Sequence, residues 1–318
     1  MPNPAPAPGP LSSPATAGVV SSPASSDAAR DKQPRAILLM CLVAFVFAVQ
    51  DGLSRHLGAA YSPMFVVMLR YWFMAAFVII LALRKPGGLR AAARSKRPVL
   101  QILRGVLLIT ETLLIVTAFV RLGLINTHAV FACSPLIVVA LSGRLLGEKI
   151  GWRRWVAVGV GFIGILIVLK PTSGVFAADS LIPFLAAAMF GIYSLLTRMV
   201  SLEDPSGVSF FWTGIAGAVT STAIGIAWIE PIHLYDVPLL LALCALGALS
   251  HFLLIKAYEM AEASSLQPFA YTQLVWVSFI GVLLLGETLA PNVAVGATIV
   301  VGAGLFTWWR TLQKSRQG

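Results

Sequence analysis

Long hydrophobic runs, separated by short polar connectors, make up most of the chain. A helix that crosses a bilayer needs about 20 mostly apolar residues, and ten stretches of about this length follow one another. They lie at 36–57, 62–83, 99–120, 124–146, 152–170, 180–200, 207–229, 237–259, 264–286 and 292–310. The connectors combine Pro, Gly and charged residues, as at 85–88 and 203–205. This pattern predicts an all-α membrane protein with ten transmembrane helices, and it leaves no room for a soluble catalytic domain.

Both ends of the chain differ from this hydrophobic part. Residues 1–34 hold eight of the 19 prolines, with Ala and Ser between them. Such a segment buries too little apolar surface to offset its ordering entropy, so we predict a disordered tail. No basic start followed by a short apolar core, as in a secretory signal peptide, is present near Met1. Residues 311–318 are predicted to form a short basic tail.

The low charge content argues against a water-soluble fold. Only 11% of the residues are charged and 58% are hydrophobic, whereas soluble proteins carry about 25% charged residues. The net charge of +10 is also typical of nucleic-acid binding, but the basic residues form short clusters between apolar runs. Lipid headgroups and topology signals require that arrangement. We therefore predict that the chain contacts the lipid bilayer and no nucleic acid.

No metal or cofactor is expected from the sequence. The three cysteines, Cys41, Cys133 and Cys244, are isolated within apolar runs, and no two of them have the spacing of metal ligands. They are interpreted as small buried hydrophobic residues.

The distribution of Lys and Arg predicts the orientation. If the N-terminus is cytoplasmic, 17 of the 23 basic residues fall in cytoplasmic segments and three fall outside. Because cytoplasmic loops carry an excess of positive charge, we expect both termini to be cytoplasmic in a bacterial-type inner (plasma) membrane.

An internal repeat divides the chain into residues 35–170 and 180–310. A shift of 139 places Leu145-Leu146-Gly147-Glu148 on Leu284-Leu285-Gly286-Glu287, and a shift of 143 places Phe47 on Phe190 and Arg55 on Arg198. Each copy has five predicted spans, an odd number, so the second copy must be inverted. Inverted repeats are typical of alternating-access carriers that bind substrate near the bilayer midplane. A duplicated bundle without a transport role is the alternative.

These motifs resemble a known family. Leu103-Arg104-Gly105, Ala118-Phe119, Pro135 and the LLGE motif resemble the EamA unit of the drug/metabolite transporter superfamily, as does Met68-Leu69-Arg70-Tyr71. The second copy, at 257–263 and 267–272, is similar to the same unit, and the resemblance covers about 36–310. It implies a carrier of ten helices in two inverted repeats, and its overall pattern is most similar to that of bacterial exporters of amino acids, aromatic ones included.

Charged residues inside the predicted spans mark candidate chemistry, because an unpaired charge at mid-membrane costs about 2.5–3.5 kcal/mol. Arg70 and Glu111 lie at matching depths in spans two and three, and we predict that they pair. Such a pair either braces the bundle or serves as a proton or substrate-carboxylate site. Asp51 and Arg55, four positions apart in span one, predict a local ion pair.

Polar residues at similar depth are the candidate substrate-binding set. In span nine, Ser264, Gln267, Tyr271 and Ser278 share one helix face, which indicates either interhelical hydrogen bonds or a substrate path. His251 is a candidate proton site or a hydrogen-bonding group. The complete predicted set is Gln50, Tyr193, Ser250, His251, Gln267, Tyr271 and Trp276.

The sequence therefore predicts a secondary transporter that exports small metabolites, most consistently neutral or aromatic amino acids. The alternatives are a carrier of the same superfamily for a nucleobase, flavin, amine or nucleotide-derived metabolite, and a channel. No GxxxxGK[ST] loop, HExxH motif or GxSxG elbow is present, so an ATP-driven pump and an enzyme are disfavoured. The ten spans allow the chain to act as a monomer.

Overall fold

The fold is described from a computed structural model that covers residues 23–148, 151–169 and 181–317. Within these ranges the chain forms thirteen α-helices and no β-strand. The helices are α1 (Pro23–Ala60), α2 (Pro63–Leu83), α3 (Gly88–Ala93), α4 (Pro98–Leu122), α5 (Leu124–Phe131), α6 (Ser134–Leu146), α7 (Trp152–Leu169), α8 (Leu181–Ser201), α9 (Ser206–Gly225), α10 (Val237–Met260), α11 (Ala263–Ala270), α12 (Thr272–Leu285) and α13 (Pro291–Gln317).

The all-α membrane fold predicted from the hydrophobic pattern is confirmed. In the described part of the chain, eight helical segments are long and apolar enough to cross a membrane. Shorter apolar stretches, Trp155–Gly164 and Pro291–Ala303, lie in α7 and α13, where the fifth and tenth spans were predicted. Large apolar side chains such as Phe162, Leu283 and Leu284 are exposed on the outer surface of the bundle, as lipid contact requires.

The ends of the chain differ from the prediction. Residues 23–34 were placed in a disordered tail, but they form the first turns of α1, and Gln33–Ala60 is its membrane-crossing part. Their alanines favour a helix that continues outward from the apolar part of α1. Residues 311–317, predicted as a basic tail, continue α13. Residues 1–22, the connector 170–180 and residue 318 lie outside the described ranges.

Two of the predicted spans are discontinuous at equivalent positions. The fourth is broken at Ala132 and Cys133, between α5 and α6, and the ninth at Tyr271, between α11 and α12. These positions differ by the repeat shift of 139. Pro135, near the start of α6, has no N–H to donate to the Phe131 carbonyl across the first break, and Pro268 lies within α11, three positions before the second break. Broken helices at corresponding positions of two repeats are typical of carrier binding sites.

The two LLGE turns join the repeats reciprocally. The Glu148 carboxylate, which follows α6, accepts hydrogen bonds from the backbone N–H groups of Ala263 and Ser264 at 3.0 and 3.1 Å, at the start of α11. The Glu287 carboxylate, which follows α12, accepts those of Leu124 and Ile125 at 2.7 and 2.9 Å, at the start of α5.

The reciprocal caps also show the relative direction of the two repeats. The glycine before each glutamate has a left-handed φ, 68° at Gly147 and 66° at Gly286, which turns the carboxylate away from its own helix. Each broken span begins where the other ends, so the two spans run antiparallel, as inverted repeats require.

The caps predict a stability effect of similar size at both ends of the bundle. Glu148→Gln and Glu287→Gln each remove the negative charge that two helix N-terminal N–H groups share, which we expect to cost about 1–2 kcal/mol. Thermal unfolding of the purified protein in detergent measures the effect as a lowered Tm.

The matched control for the cap prediction is Glu203→Gln. Glu203 forms an exposed ion pair with Arg97 at 2.6 Å, and such pairs contribute about 0–1 kcal/mol. A Tm that falls no further in Glu148→Gln and Glu287→Gln than in this control would contradict the prediction.

Helices of the two repeats pack against each other throughout the bundle. α1 packs on α10 and α12, α4 on α8 and α9, and α2 on α9. Glycines permit the closest approaches: a Cβ at Gly217 in α9 would overlap the ring of Tyr71 in α2. This interleaving places the middle of the bundle, rather than either repeat alone, at the centre of the molecule.

Candidate functional site

A polar cavity of about 420 Å³ of empty space, its mouth included, lies between the two repeats. Helices α1, α2, α4 and α5 of the first repeat contribute most of its charge, and α8, α10 and α12 of the second close it. Phe47 and Phe190, which are equivalent under the shift of 143, meet edge to face there with ring centroids 6.3 Å apart. The polar residues that line it are Gln50, Asp51, Arg70, Glu111, Thr112, His128, His251 and Gln273.

Asp51 is contacted directly by residues of α5 and α12, and Ser250 of α10 acts on it through Gln50. Its Oδ2 accepts a hydrogen bond from Gln273 Nε2 at 2.9 Å and lies 3.1 Å from His128 Nε2, although the latter contact lacks hydrogen-bond alignment. Gln50 Nε2 donates to Oδ1 at 3.2 Å, and Ser250 Oγ donates to Gln50 Oε1 at 2.9 Å. Asp51 is therefore fixed at the cavity wall.

The predicted local ion pair between Asp51 and Arg55 is wrong. Arg55 Nε instead lies 3.9 Å from Glu287 Oε1, beside the cap of α5. The spacing of four positions does place Asp51 and Arg55 on one side of α1. Each side chain instead contacts a residue from another part of the chain: Asp51 lies against His128 and Arg55 against Glu287.

Arg70 and Glu111 line the same cavity, but the described residues contain no ion pair between them. Arg70 Nη2 lies 3.4 Å from His251 Nε2. Its side chain lies along α10, where a Cβ at Gly247 would come within 2.9 Å of Arg70 Nε. Glu111 Oε2 accepts a hydrogen bond from Thr112 Oγ1 at 3.4 Å. The predicted pairing is thus replaced by a guanidinium and a carboxylate that face one shared space.

A second cavity, of about 440 Å³, adjoins the first along the broken spans. It contains Gln267, Tyr271 and Tyr258, and Gln267 Nε2 donates to Tyr258 Oη at 3.1 Å. The two cavities share four lining residues, His128, Phe131, Phe190 and Gln273. They therefore form neighbouring parts of one polar path, with the helix breaks beside it.

The predicted binding residues separate into three groups. Gln50 and His251 line the first cavity, and Gln267 and Tyr271 line the second. Tyr193 and Ser250 are buried behind the first cavity. Tyr193 lies against Phe190 and the guanidinium of Arg104, while Ser250 holds Gln50.

Trp276 departs from the prediction. It is 40% exposed on the outer face of α12, where its ring packs edge-on against Phe45 at 5.0 Å, and it lines neither cavity. Five positions along a helix separate it from Tyr271, which places it on a different face. Ser278, also in the predicted stripe, donates its hydroxyl to the backbone carbonyl of Leu274.

Several residues of the site were not in the predicted set. Asp51 was identified as a mid-membrane charge but not as a lining residue, and His128 and Gln273 were not included. The internal repeat could have identified His128, because the shift of 139 relates it to Gln267, which was in the predicted set.

The chain matches known transporters along its whole hydrophobic part. A model of the EamA-like transporter family matches residues 34–170 and again residues 175–309. An S-adenosylmethionine uptake transporter of Rickettsia bellii is 30% identical over 261 residues, which cover 81% of this chain and 88% of that protein. A riboflavin transporter of Vibrio cholerae is 27% identical over 283 residues, which cover 88% and 95%. One crystal structure superposes with a TM-score of 0.62 at 19% identity, covering 92% of this chain and 99% of the other, and it supports the fold alone.

Proposed function

The chain belongs to the EamA-like transporter family, and on this basis we propose that it carries a nucleoside-derived metabolite with a charged amino-acid tail, of the S-adenosylmethionine type, across the bacterial inner membrane by alternating access. The single observation that supports this most is the central cavity, where Arg70 and Glu111 face one space beside three aromatic rings. The named relative in Rickettsia bellii directs attention to this class of molecule.

The charge of the cavity suits such a substrate. With both carboxyl groups ionised and both imidazoles neutral, Asp51, Glu111 and Arg70 together would give the cavity a net charge of about −1. S-adenosylmethionine carries a sulfonium, an ammonium and a carboxylate, and so has a net charge of +1. Its positive groups would neutralise Glu111, and its carboxylate would accept hydrogen bonds from Arg70.

The aromatic residues suit a flat ring system. Phe47, Phe131 and Phe190 line the cavity, and the Phe190 ring centroid lies 6.3 Å from that of Phe47 and 5.4 Å from that of Phe131. An adenine ring would stack on them while the amino-acid tail reaches the charged residues.

Riboflavin is the second candidate, because the relative in Vibrio cholerae is named for it and the same three aromatic rings would stack on an isoalloxazine. A neutral flavin would leave Glu111 without a positive partner, which is costly for a carboxylate buried in a membrane. The predicted export of amino acids gains no support from these two relatives, which favour the larger metabolites given as its alternative.

Transport would proceed by opening and closing of the two ends of the path. The breaks in the fourth and ninth spans lie beside the two cavities. The first turn of each broken span is capped by a glutamate of the other repeat. Both termini would be cytoplasmic, because the excess of basic residues lies on that side.

Ligand-induced thermal stabilisation of the purified protein tests the substrate class. We expect S-adenosylmethionine to raise Tm at lower concentration than S-adenosylhomocysteine, which has the same rings and tail but no sulfonium charge. Riboflavin and single amino acids such as Trp, Phe and Met complete the panel. Stabilisation by riboflavin or an amino acid, with none by S-adenosylmethionine or S-adenosylhomocysteine, would contradict the proposed class.

A further inference from the structure

The charged residues of the cavity are distributed unequally between the repeats. The shift of 143 pairs Asp51 with Ser194, and the shift of 139 pairs Glu111 with Ser250 and His128 with Gln267. At all three positions the first repeat has a titratable side chain and the second has a neutral one.

The packing of the helices does not require titratable side chains at these positions. At the place in the second repeat that corresponds to Asp51 and His128, Ser194 is buried and Gln267 Nε2 donates to Tyr258 Oη at 3.1 Å. The same crossing of helices is therefore built with neutral groups in one half of the molecule. Because a buried ion pair contributes little or nothing to stability compared with a neutral replacement, stability does not account for the pair in the other half.

The geometry of the pair suits a proton site. Asp51 and His128 are both buried, with His128 Nε2 3.1 Å from Asp51 Oδ2. The His128 ring is fixed between Phe119, stacked at 5.2 Å, and Phe131, edge-on at 5.8 Å. Imidazole changes its charge near neutral pH. The contact with Asp51 lacks hydrogen-bond alignment, but at 3.1 Å the carboxylate stabilises a proton held on the imidazole.

Other charged and titratable groups surround the pair. Arg55 and Glu287 lie beyond it towards the end of α1, at the cap of α5. Within the bundle, three titratable or charged groups line the same cavity as the pair: Arg70 (α2), Glu111 (α4) and His251 (α10).

We propose that Asp51 and His128 form a proton-binding site that couples transport to the proton gradient. With a proton on the pair, the charges of Asp51 and His128 sum to zero, and so do those of Arg70 and Glu111. When the proton leaves, the cavity has a net charge of −1 and attracts a substrate with a net charge of +1. One proton is thus exchanged for one substrate cation, no covalent bond other than that to the proton changes, and the exchange moves no net charge.

The coupling predicts a defined response in proteoliposomes. A vesicle interior that is one pH unit more acidic than the outside should accumulate S-adenosylmethionine about tenfold, since one pH unit is a tenfold difference in proton activity. A membrane potential alone should produce no accumulation. This part of the test rests on the proposed substrate.

His128→Gln separates coupling from transport, because it introduces the residue that the second repeat has at the equivalent position. Because His128 also lines the cavity, accumulation is compared with the exchange of labelled for unlabelled substrate by the same variant, and we expect the ratio of accumulation to exchange to fall to the value measured without a pH gradient. The chain has four histidines. His56→Gln, at an exposed position of α1, is the matched control, and His251→Gln tests the other histidine of the cavity.

A pH gradient without effect on wild-type accumulation, or full accumulation in His128→Gln, would overturn the coupling and leave the carrier function intact. Accumulation lost in His251→Gln but kept in His128→Gln would also overturn this assignment.

A measurement without substrate distinguishes failure of the proton site from failure of the proposed function. Infrared spectra of the protein in lipid, recorded over an acid titration, should contain a carboxyl band that disappears in Asp51→Asn. The titration midpoint of that band should move in His128→Gln and not in His56→Gln. A midpoint that His128→Gln leaves unchanged overturns the proton site, whichever metabolite the protein carries.

Discussion

Replacement of Glu111 by Gln should abolish the preference for a positively charged substrate. Among the described residues, the Glu111 carboxylate has a single hydrogen-bonding partner, the Thr112 hydroxyl at 3.4 Å, and it faces the cavity. Loss of one partner of a buried charge pair costs about 2–5 kcal/mol, and 2.7 kcal/mol corresponds to about a hundredfold in affinity. We expect S-adenosylmethionine to bind about a hundredfold more weakly to Glu111→Gln, while S-adenosylhomocysteine loses much less.

Isothermal titration calorimetry with S-adenosylmethionine and S-adenosylhomocysteine measures this difference directly. Glu259→Gln is the matched control, because Glu259 pairs with Lys256 at 2.9 Å on a partly exposed face of α10 and lines neither cavity. Equal losses for both ligands would show that Glu111 braces the bundle instead of selecting a cation.

Replacement of Arg104 by Met should have the largest effect on stability. Arg104 is completely buried, and Nη2 donates to Gln101 Oε1 at 2.9 Å, to the Ser209 carbonyl at 2.6 Å and to Thr213 Oγ1 at 2.8 Å. Nη1 donates to Thr197 Oγ1 at 3.3 Å. The side chain thus connects α4 with α8 and α9. Without it, buried Gln101 Oε1, Thr213 Oγ1 and Thr197 Oγ1 lose a donor, while the Ser209 carbonyl keeps the donor of Thr213.

Gln101 extends this network to the connector before α9. Its Nε2 donates to Asp204 Oδ2 at 3.0 Å. Burial alone would raise the pKa of Asp204, but donors from Lys96, Ser95 and Gln101 outweigh it and hold the pKa below its usual value. Asp204 therefore supplies a negative charge that Gln101 links to the Arg104 guanidinium through hydrogen bonds.

We expect Arg104→Met to lose about 3–5 kcal/mol, a large share of the roughly 5–15 kcal/mol that stabilises a typical protein. The yield of monodisperse protein and its Tm measure the loss. Arg104→Lys should recover part of it, because an ammonium keeps the charge but cannot reach all four acceptors. Arg97→Met, at an exposed arginine, is the control, and a Tm for Arg104→Met equal to that of Arg97→Met would contradict the prediction.

The sequence determines the fold more completely than the site. Hydrophobic length predicts the ten spans, and the repeated LLGE turn predicts the inverted arrangement. The structure adds the reason why that turn is repeated, since Glu148 and Glu287 each cap a helix of the other repeat. A contact between residues more than a hundred positions apart does not follow from the spacing within either motif.

The site was only partly predictable because the depth of a residue in the membrane does not specify the direction in which its side chain points. Arg70 and Glu111 have matching depths, as predicted, but the Arg70 side chain lies along α10 beside Gly247. Tyr271 and Trp276 belong to one predicted span, yet one lines a cavity and the other faces outward. Rotation of each helix about its own axis depends on packing against its neighbours, which only the assembled bundle provides.

Counterflow in proteoliposomes is the most direct test of whether the protein is a carrier of S-adenosylmethionine. Vesicles that contain the purified protein and unlabelled S-adenosylmethionine are placed in a trace of the labelled compound, with equal pH on both sides. We expect a transient accumulation of label that saturates with concentration and that Glu111→Gln greatly reduces. Non-saturating entry of label without accumulation would indicate a channel. Counterflow of riboflavin or an amino acid, with none of S-adenosylmethionine, would contradict the proposed substrate.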